Sequence, residues 1–158
     1  MSANAPLIDA YLQGPEQLRR SVQGLSDEQL RARPVPGKWS ILEVLCHLAD
    51  FEGVYAERMK RILAEQNPPL AAGDPDEFAA ALAYESRNVE EELAVIESIR
   101  RQSGRILATL SDEQFERTGR HSTDGELKLK ELLRRISNHV PHHVTFIEEK
   151  RKALGLDA

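Results

Sequence analysis

The sequence predicts an all-α protein, a four-helix bundle built from two pseudo-repeated helix pairs. Three observations carry this. Long stretches with apolar residues at helical spacing alternate with short segments rich in proline and glycine. Serine-led capping signals open helical segments. The segment Leu25-Ser26-Asp27-Glu28-Gln29-Leu30 also returns as Leu110-Ser111-Asp112-Glu113-Gln114-Phe115. Each copy follows one long helix and precedes a loop and a second long helix bearing histidine, which relates two αα units by a pseudo-two-fold axis. With 158 residues, 41% hydrophobic and 30% charged, the chain reads as a single globular domain over 1–158 with a sizeable core.

The elements follow in order. A first helix is expected from about Pro6 to Gln23, bent at Gly14-Pro15 because proline lacks the N–H that would continue the ladder. Ser26 to Gln29 is a capping box that opens a short helix. Ser40, with Glu43 three positions on, caps the second long helix, which runs to about Gln66. Its apolar face is Ile41, Val44, Leu45, Leu48, Tyr55, Met59 and Ile62. A loop follows, with one turn near Glu77 to Leu82. The third long helix covers about Glu85 to Leu110 and the fourth about Leu129 to Leu154. The fourth carries its stripe on Leu129, Leu132, Leu133, Ile136, Val140, Ile147 and Leu154.

Composition narrows the function classes. The net charge of -5 argues against a nucleic-acid surface. Arg58, Lys60 and Arg61, and again Arg134 and Arg135, are interleaved with acids and read as solvated helix faces. One cysteine forms no internal disulfide. The first residues carry no basic-then-apolar signal, and no apolar run approaches the roughly 18 residues that cross a bilayer. The expected location is cytoplasmic, with no membrane partner.

The chemistry lies in the histidines. Of five, three fall in Asn138-His139-Val140-Pro141-His142-His143. Positions i and i+4 share one helix face, so His139 and His143 project side by side at the edge of the inward stripe, while His142 points about 100° away. Two imidazoles at this spacing can grip one divalent ion. A third comes from His47, beside Val44 and Phe51 on the second long helix, which the repeat makes equivalent to the fourth. Three nitrogens with open positions is the pattern of a catalytic rather than a structural metal site. Neutral imidazole suits zinc, nickel, iron or copper. An H-x-x-x-H pair is also common as plain surface or capping histidine, so inward placement is what raises it above that reading.

Other residues take plainer roles. Pro141 is expected to kink the fourth helix locally. Cys46 reads as a packed small side chain, and Trp39 as a hydrophobic staple or core plug, alternatively a pocket wall. Asp50 is expected in solvent. Glu52 either orients a ligand or pairs with a lysine. His121 falls in a loop, exposed or part of a lid.

Pro36-Gly37-Lys38-Trp39-Ser40-Ile41, continuing through Glu43, His47, Leu48 and Glu52, resembles a signature of the DinB-like superfamily, as does His139-Val140-Pro141-His142-His143 with Ile147. Gly119-Arg120-His121 and Gly125-Glu126-Leu127 fit as well. The resemblance implies a four-helix bundle, often a homodimer, holding a divalent transition metal such as zinc, nickel or iron on His47, His139 and His143. Characterised relatives include transferases of low-molecular-weight thiols and a thiol-dependent isomerase. Two positions depart from the pattern: Phe146 stands where a Gln is common, and Lys128 where a Thr or Ser commonly caps the last helix.

The reading that follows is a metal-dependent thiol S-transferase acting on a small-molecule electrophile, with no general base assigned. A metal-dependent hydrolase is the alternative from the same site. A non-catalytic, metal-stabilised dimeric stress-response or binding module is the alternative from another class.

Overall fold

Why four long helices form, and how they meet, is visible in their ends and faces. The computed structural model describes residues 3–156. Helix α1 (Ala5–Val22) keeps Pro15 within a continuous helix. A short α2 (Asp27–Arg31) opens on Ser26, whose hydroxyl accepts from the Gln29 N–H at 3.2 Å while its own N–H donates to Gln29 Oε1 at 2.9 Å. Helix α3 (Ile41–Ala64) begins on the same device. Ser40 Oγ accepts from Glu43 N–H at 3.1 Å, and Ser40 N–H donates to Glu43 Oε2 at 2.7 Å. Strand β1 (Pro69–Leu70), helix α4 (Pro75–Ala81) and a 3₁₀ turn at Tyr84–Ser86 lead to α5 (Val89–Leu107). A second 3₁₀ turn (Asp112–Glu116), strands β2 (Thr118–His121) and β3 (Gly125–Lys128), and α6 (Leu129–Ala153) complete the chain.

Extensive contacts join α1 to α6, α6 to α3, α3 to α5 and α5 to α1. The order round the bundle is therefore α1, α6, α3, α5. Consecutive helices α1 and α3, and likewise α5 and α6, stand across the diagonal, which is why each pair needs a long connection. Exchanging α1 with α5 and α3 with α6 leaves that set of contacts unchanged, as the repeat requires. The second copy repeats part of the first cap as well: Ser111 N–H donates to Gln114 Oε1 at 2.9 Å. The all-α, two-pair bundle stands.

Three differences from the sequence reading have physical causes. The region around Glu85 is a 3₁₀ turn, and α5 starts later, at Val89, on the side-chain cap of Asn88. The loops after α3 and α5 pair into a small sheet, β1 parallel to β2 and β2 antiparallel to β3. Elements of two to four residues carry too little period to read from sequence. Finally, Ile41 to Ala49 are buried on every side rather than along one face. The outer side of α3 is covered by α4 and the Tyr84 turn. Cys46 is therefore sealed in, with Sγ 3.7 Å from the Tyr84 carbonyl and its thiol pushed up to about 12 by burial. Asp50 is not in solvent either: it accepts two bonds of 2.9 Å from Arg87.

The apolar core falls into two large clusters. One joins Ile8, Met59, Ile62, Phe115, Leu129 and Ile136, the other Leu18, Val44, Leu48, Ile96, Val140 and Ile147. Along α3 and α5 the buried polar residues Glu52 and Arg100 fall between them, beside Tyr11 of the first cluster.

Candidate metal centre

His47 sits two turns into α3, on the stretch buried all round, and is 4% exposed. His139 and His143 lie one turn apart on α6, half-buried. Because α3 packs against α6, the three rings converge, with centroids 4.7 to 4.8 Å apart. The Nε2 atoms of His47 and His139 approach to 3.0 Å, and one ring nitrogen from each residue lies within 4.8 Å of the others. Trp39, at 5.3 Å, and Phe51, at 4.8 Å, flank the His47 ring, and Phe146 stands 5.4 Å from that of His143. Trp39 is thus a wall of this site as well as the residue before the α3 cap.

The electrostatics follow from these walls. Burial lowers His47 to about 4, and burial with the neighbouring imidazoles lowers His139 and His143 to about 3. All three rings are neutral at physiological pH, with lone pairs available. Two neutral imidazole nitrogens 3.0 Å apart must share either one proton or one cation. The spacing resembles the separation of about 3.3 Å that two nitrogens adopt across a tetrahedral ion with bonds near 2.0 Å. The Nδ1 atoms of all three rings are buried without any hydrogen-bond partner. An unsatisfied buried polar atom costs about 1–3 kcal/mol. The rings are therefore a poor device for holding the bundle together and a good one for receiving a ligand. On donor chemistry and convergence, these residues fit a divalent transition metal.

The open side of the triad faces a cavity of about 410 Å³, within the range of small-molecule sites. Phe51, Tyr55 and Arg58 of α3, and Arg135 and His142 of α6, line it together with His121 and Asp124 from the β2–β3 hairpin. The hairpin turns in three residues with Gly125 at φ 76°, the left-handed conformation glycine accepts freely. That turn fixes His121: its Nδ1 accepts from the Asp124 N–H at 3.2 Å and the Thr123 N–H at 3.4 Å. With Nδ1 acting as acceptor, the ring proton sits on Nε2. His121 is thus a well-held strand residue with an 8% exposed side chain, not an exposed loop histidine.

The polar residues next to the triad divide differently from the sequence reading. His142 is exposed, its ring 5.2 Å from that of His143 but outside the convergent set. Glu52 neither orients a histidine nor meets a lysine. Its carboxylate accepts from Tyr11 Oη at 2.7 Å and from Arg100 Nε at 2.9 Å, deep between the two core clusters. Arg58 is not on a solvated helix face, being 5% exposed, whereas Arg135 is exposed and pairs with Asp124 at the cavity rim. A helical period alone missed Arg58, because what covers it is the β1 loop, whose Ala71 carbonyl it binds at 2.5 Å. Lys128 leaves α6 with half a capping box, its N–H donating to Glu131 Oε2 at 2.7 Å.

A family model described as the DinB superfamily matches residues 10–147. The chain belongs to the DinB superfamily. Among its relatives, a protein of Oceanobacillus iheyensis, named as a candidate metal-dependent hydrolase, is 30% identical over 140 residues, 87% of this chain and 81% of that one. A Bacillus cereus protein with the same kind of name is 28% identical over 153 residues, 94% of this chain and 88% of that one. The solved structure of YfiT from Bacillus subtilis, described as a candidate metal-dependent hydrolase with an unusual four-helix bundle topology, superposes with a TM-score of 0.91. It shares 25% identity and covers 99% of this chain and 91% of its own. Among the described residues of this DinB-superfamily chain, no helix is long and apolar enough to cross a membrane.

Proposed function

We propose that this protein is a metal-dependent enzyme whose divalent ion is held by His47, His139 and His143 and is open to the adjoining cavity. The observation that carries this is the convergence of three neutral imidazoles, with the Nε2 atoms of His47 and His139 3.0 Å apart. When bound, such an ion supplies Lewis acidity, activating a water or thiol in its open position and polarising an acyl or phosphoryl oxygen. The chain's own residues do the rest. Trp39, Phe51 and Phe146 keep the rings in an apolar setting. His121 presents an N–H donor along the cavity wall, and Arg135, tied to Asp124, closes its rim.

Hydrolysis is the first reading, in line with the names of the relatives. One observation favours a second, thiol S-transfer. Among the described residues no carboxylate hydrogen-bonds a triad nitrogen, and Asp124, an acid of the cavity lining, is already paired. A nucleophile that needs no protein base suits such a site. The deciding test assays the zinc- and nickel-loaded protein with ester, amide and phosphoester panels, beside a thiol with an electrophilic acceptor. Turnover of a hydrolytic substrate without thiol, abolished in His139→Ala, supports the hydrolase. Turnover only with thiol present supports the transferase. Inactivity of the fully loaded protein on both panels speaks for the non-catalytic module.

A further inference from the structure

Arg58 is a cation that the fold encloses almost wholly without a direct ion pair. Its residue exposure is 5%, and burial pulls its guanidinium down from the ordinary arginine value. A buried cation is normally matched by a carboxylate, because desolvating one alone costs several kcal/mol. Among the described residues no carboxylate lies within ion-pairing distance of Arg58, and Glu57 and Asp124 act on it only from further away. Its one hydrogen bond runs from Nη2 to the Ala71 carbonyl, its Nε is buried without a partner, and it stands 5.1 Å over the Tyr55 ring. The acid that lines the same cavity, Asp124, is taken by Arg135 at 2.5 Å. Compare Arg100, buried more deeply still: every nitrogen of its guanidinium finds an acceptor, a carboxylate among them.

This cation, in no direct ion pair, lines the same cavity as the three imidazoles. His121, whose Nε2 carries the proton, lines it too. The cavity therefore joins the metal-binding nitrogens to a buried positive charge and a neutral donor, in a volume sized for a small molecule.

We infer that Arg58, assisted by His121, forms an oxyanion subsite that takes the carboxylate or phosphoryl group of the substrate while its reacting centre lies at the triad. The inference rests on the enzyme reading for the second half of that statement only; the anion subsite is a property of Arg58 and the cavity. A guanidinium binds both kinds of oxyanion through charge-assisted hydrogen bonds, and burial strengthens them. The ligand class is thus a small anionic molecule, which a chain with a net charge of -5 would otherwise repel.

The test uses calorimetric titration of the full chain, metal-free and zinc-loaded, with inorganic phosphate in one arm and butyrate in the other. Metal content is measured separately by plasma mass spectrometry. Binding is expected in the metal-free protein, weakened about tenfold to a hundredfold in Arg58→Gln, the loss of a charge-assisted hydrogen bond. Arg58→Lys should retain part of it, and His121→Phe should weaken it less than Arg58→Gln does. Lys60→Gln, which removes one exposed charge from the same helix, should bind as wild type does. Metal stoichiometry is expected unchanged in every variant. Should Arg58→Gln misfold by circular dichroism, the Arg58→Lys and His121→Phe titrations carry the decision. The arm that binds more tightly assigns phosphoryl or carboxylate. Equal binding by wild type, Arg58→Gln and Arg58→Lys overturns the subsite, as does binding seen only with zinc present, which would place the anion on the ion itself. If anion binds at Arg58 but no metal loads, the subsite stands and the metal reading fails.

Discussion

Two polar clusters sit inside this bundle, one turn or two from each other along α3, and they are built on opposite principles. Around Arg100 the guanidinium and the carboxylate it meets are matched. Its guanidinium donates to Glu52, to the Tyr11 carbonyl at 2.7 Å and to the Ile136 carbonyl at 2.9 Å, and Tyr11 Oη completes the Glu52 carboxylate. Around His47 the polar groups meet only one another, and three buried nitrogens are left over. The first cluster ties α1, α3, α5 and α6 together; the second leaves a gap in hydrogen bonding where three helical residues converge. A saturated network serves the fold, whereas an unsaturated one that persists in a core points to something the core receives.

The largest effects should come from breaking the saturated cluster. Arg100→Met leaves the Glu52 carboxylate buried without its countercharge and should cost about 3–5 kcal/mol in urea denaturation. Gly14→Ala should act on the same cluster from outside, since a Cβ there would lie 2.0 Å from Arg100 Nη1. His47→Leu, by contrast, should leave the metal-free protein within about 1 kcal/mol of wild type, because it removes an unsatisfied group rather than a satisfied one.

A second, somewhat smaller difference should appear on loading. Zinc at a hundred times its dissociation constant should stabilise the wild type by about 2.7 kcal/mol and His47→Leu not at all, read as the shift in thermal midpoint. Arg58→Lys should keep that shift.

A third difference is one of pH. The folded-state values of His47, His139 and His143, about 4, 3 and 3, lie below the ordinary value of about 6.5 in an unfolded chain. Between those limits the unfolded state binds more protons. Stability of the metal-free protein should then rise with pH through this window. It is fully present above about 6.5 and lost progressively as pH falls toward 4 and below. His47→Leu should flatten this slope in equilibrium unfolding followed from pH 7 to pH 4.

The two clusters also differ in how far the sequence discloses them. The triad is legible because two members share one helix face and the repeated Leu-Ser-Asp-Glu-Gln segment makes α3 and α6 partners. The Arg100 cluster is not, since Glu52 and Arg100 are 48 residues apart and nothing local pairs them. Gly14-Pro15 reads as a bend in α1. In the fold, Pro15 leaves the Tyr11 carbonyl without its helical donor and Gly14 leaves room for the guanidinium that replaces it. Arg58 looked solvated for the same reason: its cover is supplied by β1 and the hairpin, elements too short to show a period.

The most direct measurement is the metal content of the wild-type protein after zinc or nickel loading and dialysis, set beside His139→Ala and Arg100→Met, the latter at a temperature where it remains folded. The account predicts close to one ion per chain in the wild type and in Arg100→Met, and none in His139→Ala. A wild type that holds no ion after loading, or a His139→Ala variant that holds as much as wild type, would contradict it.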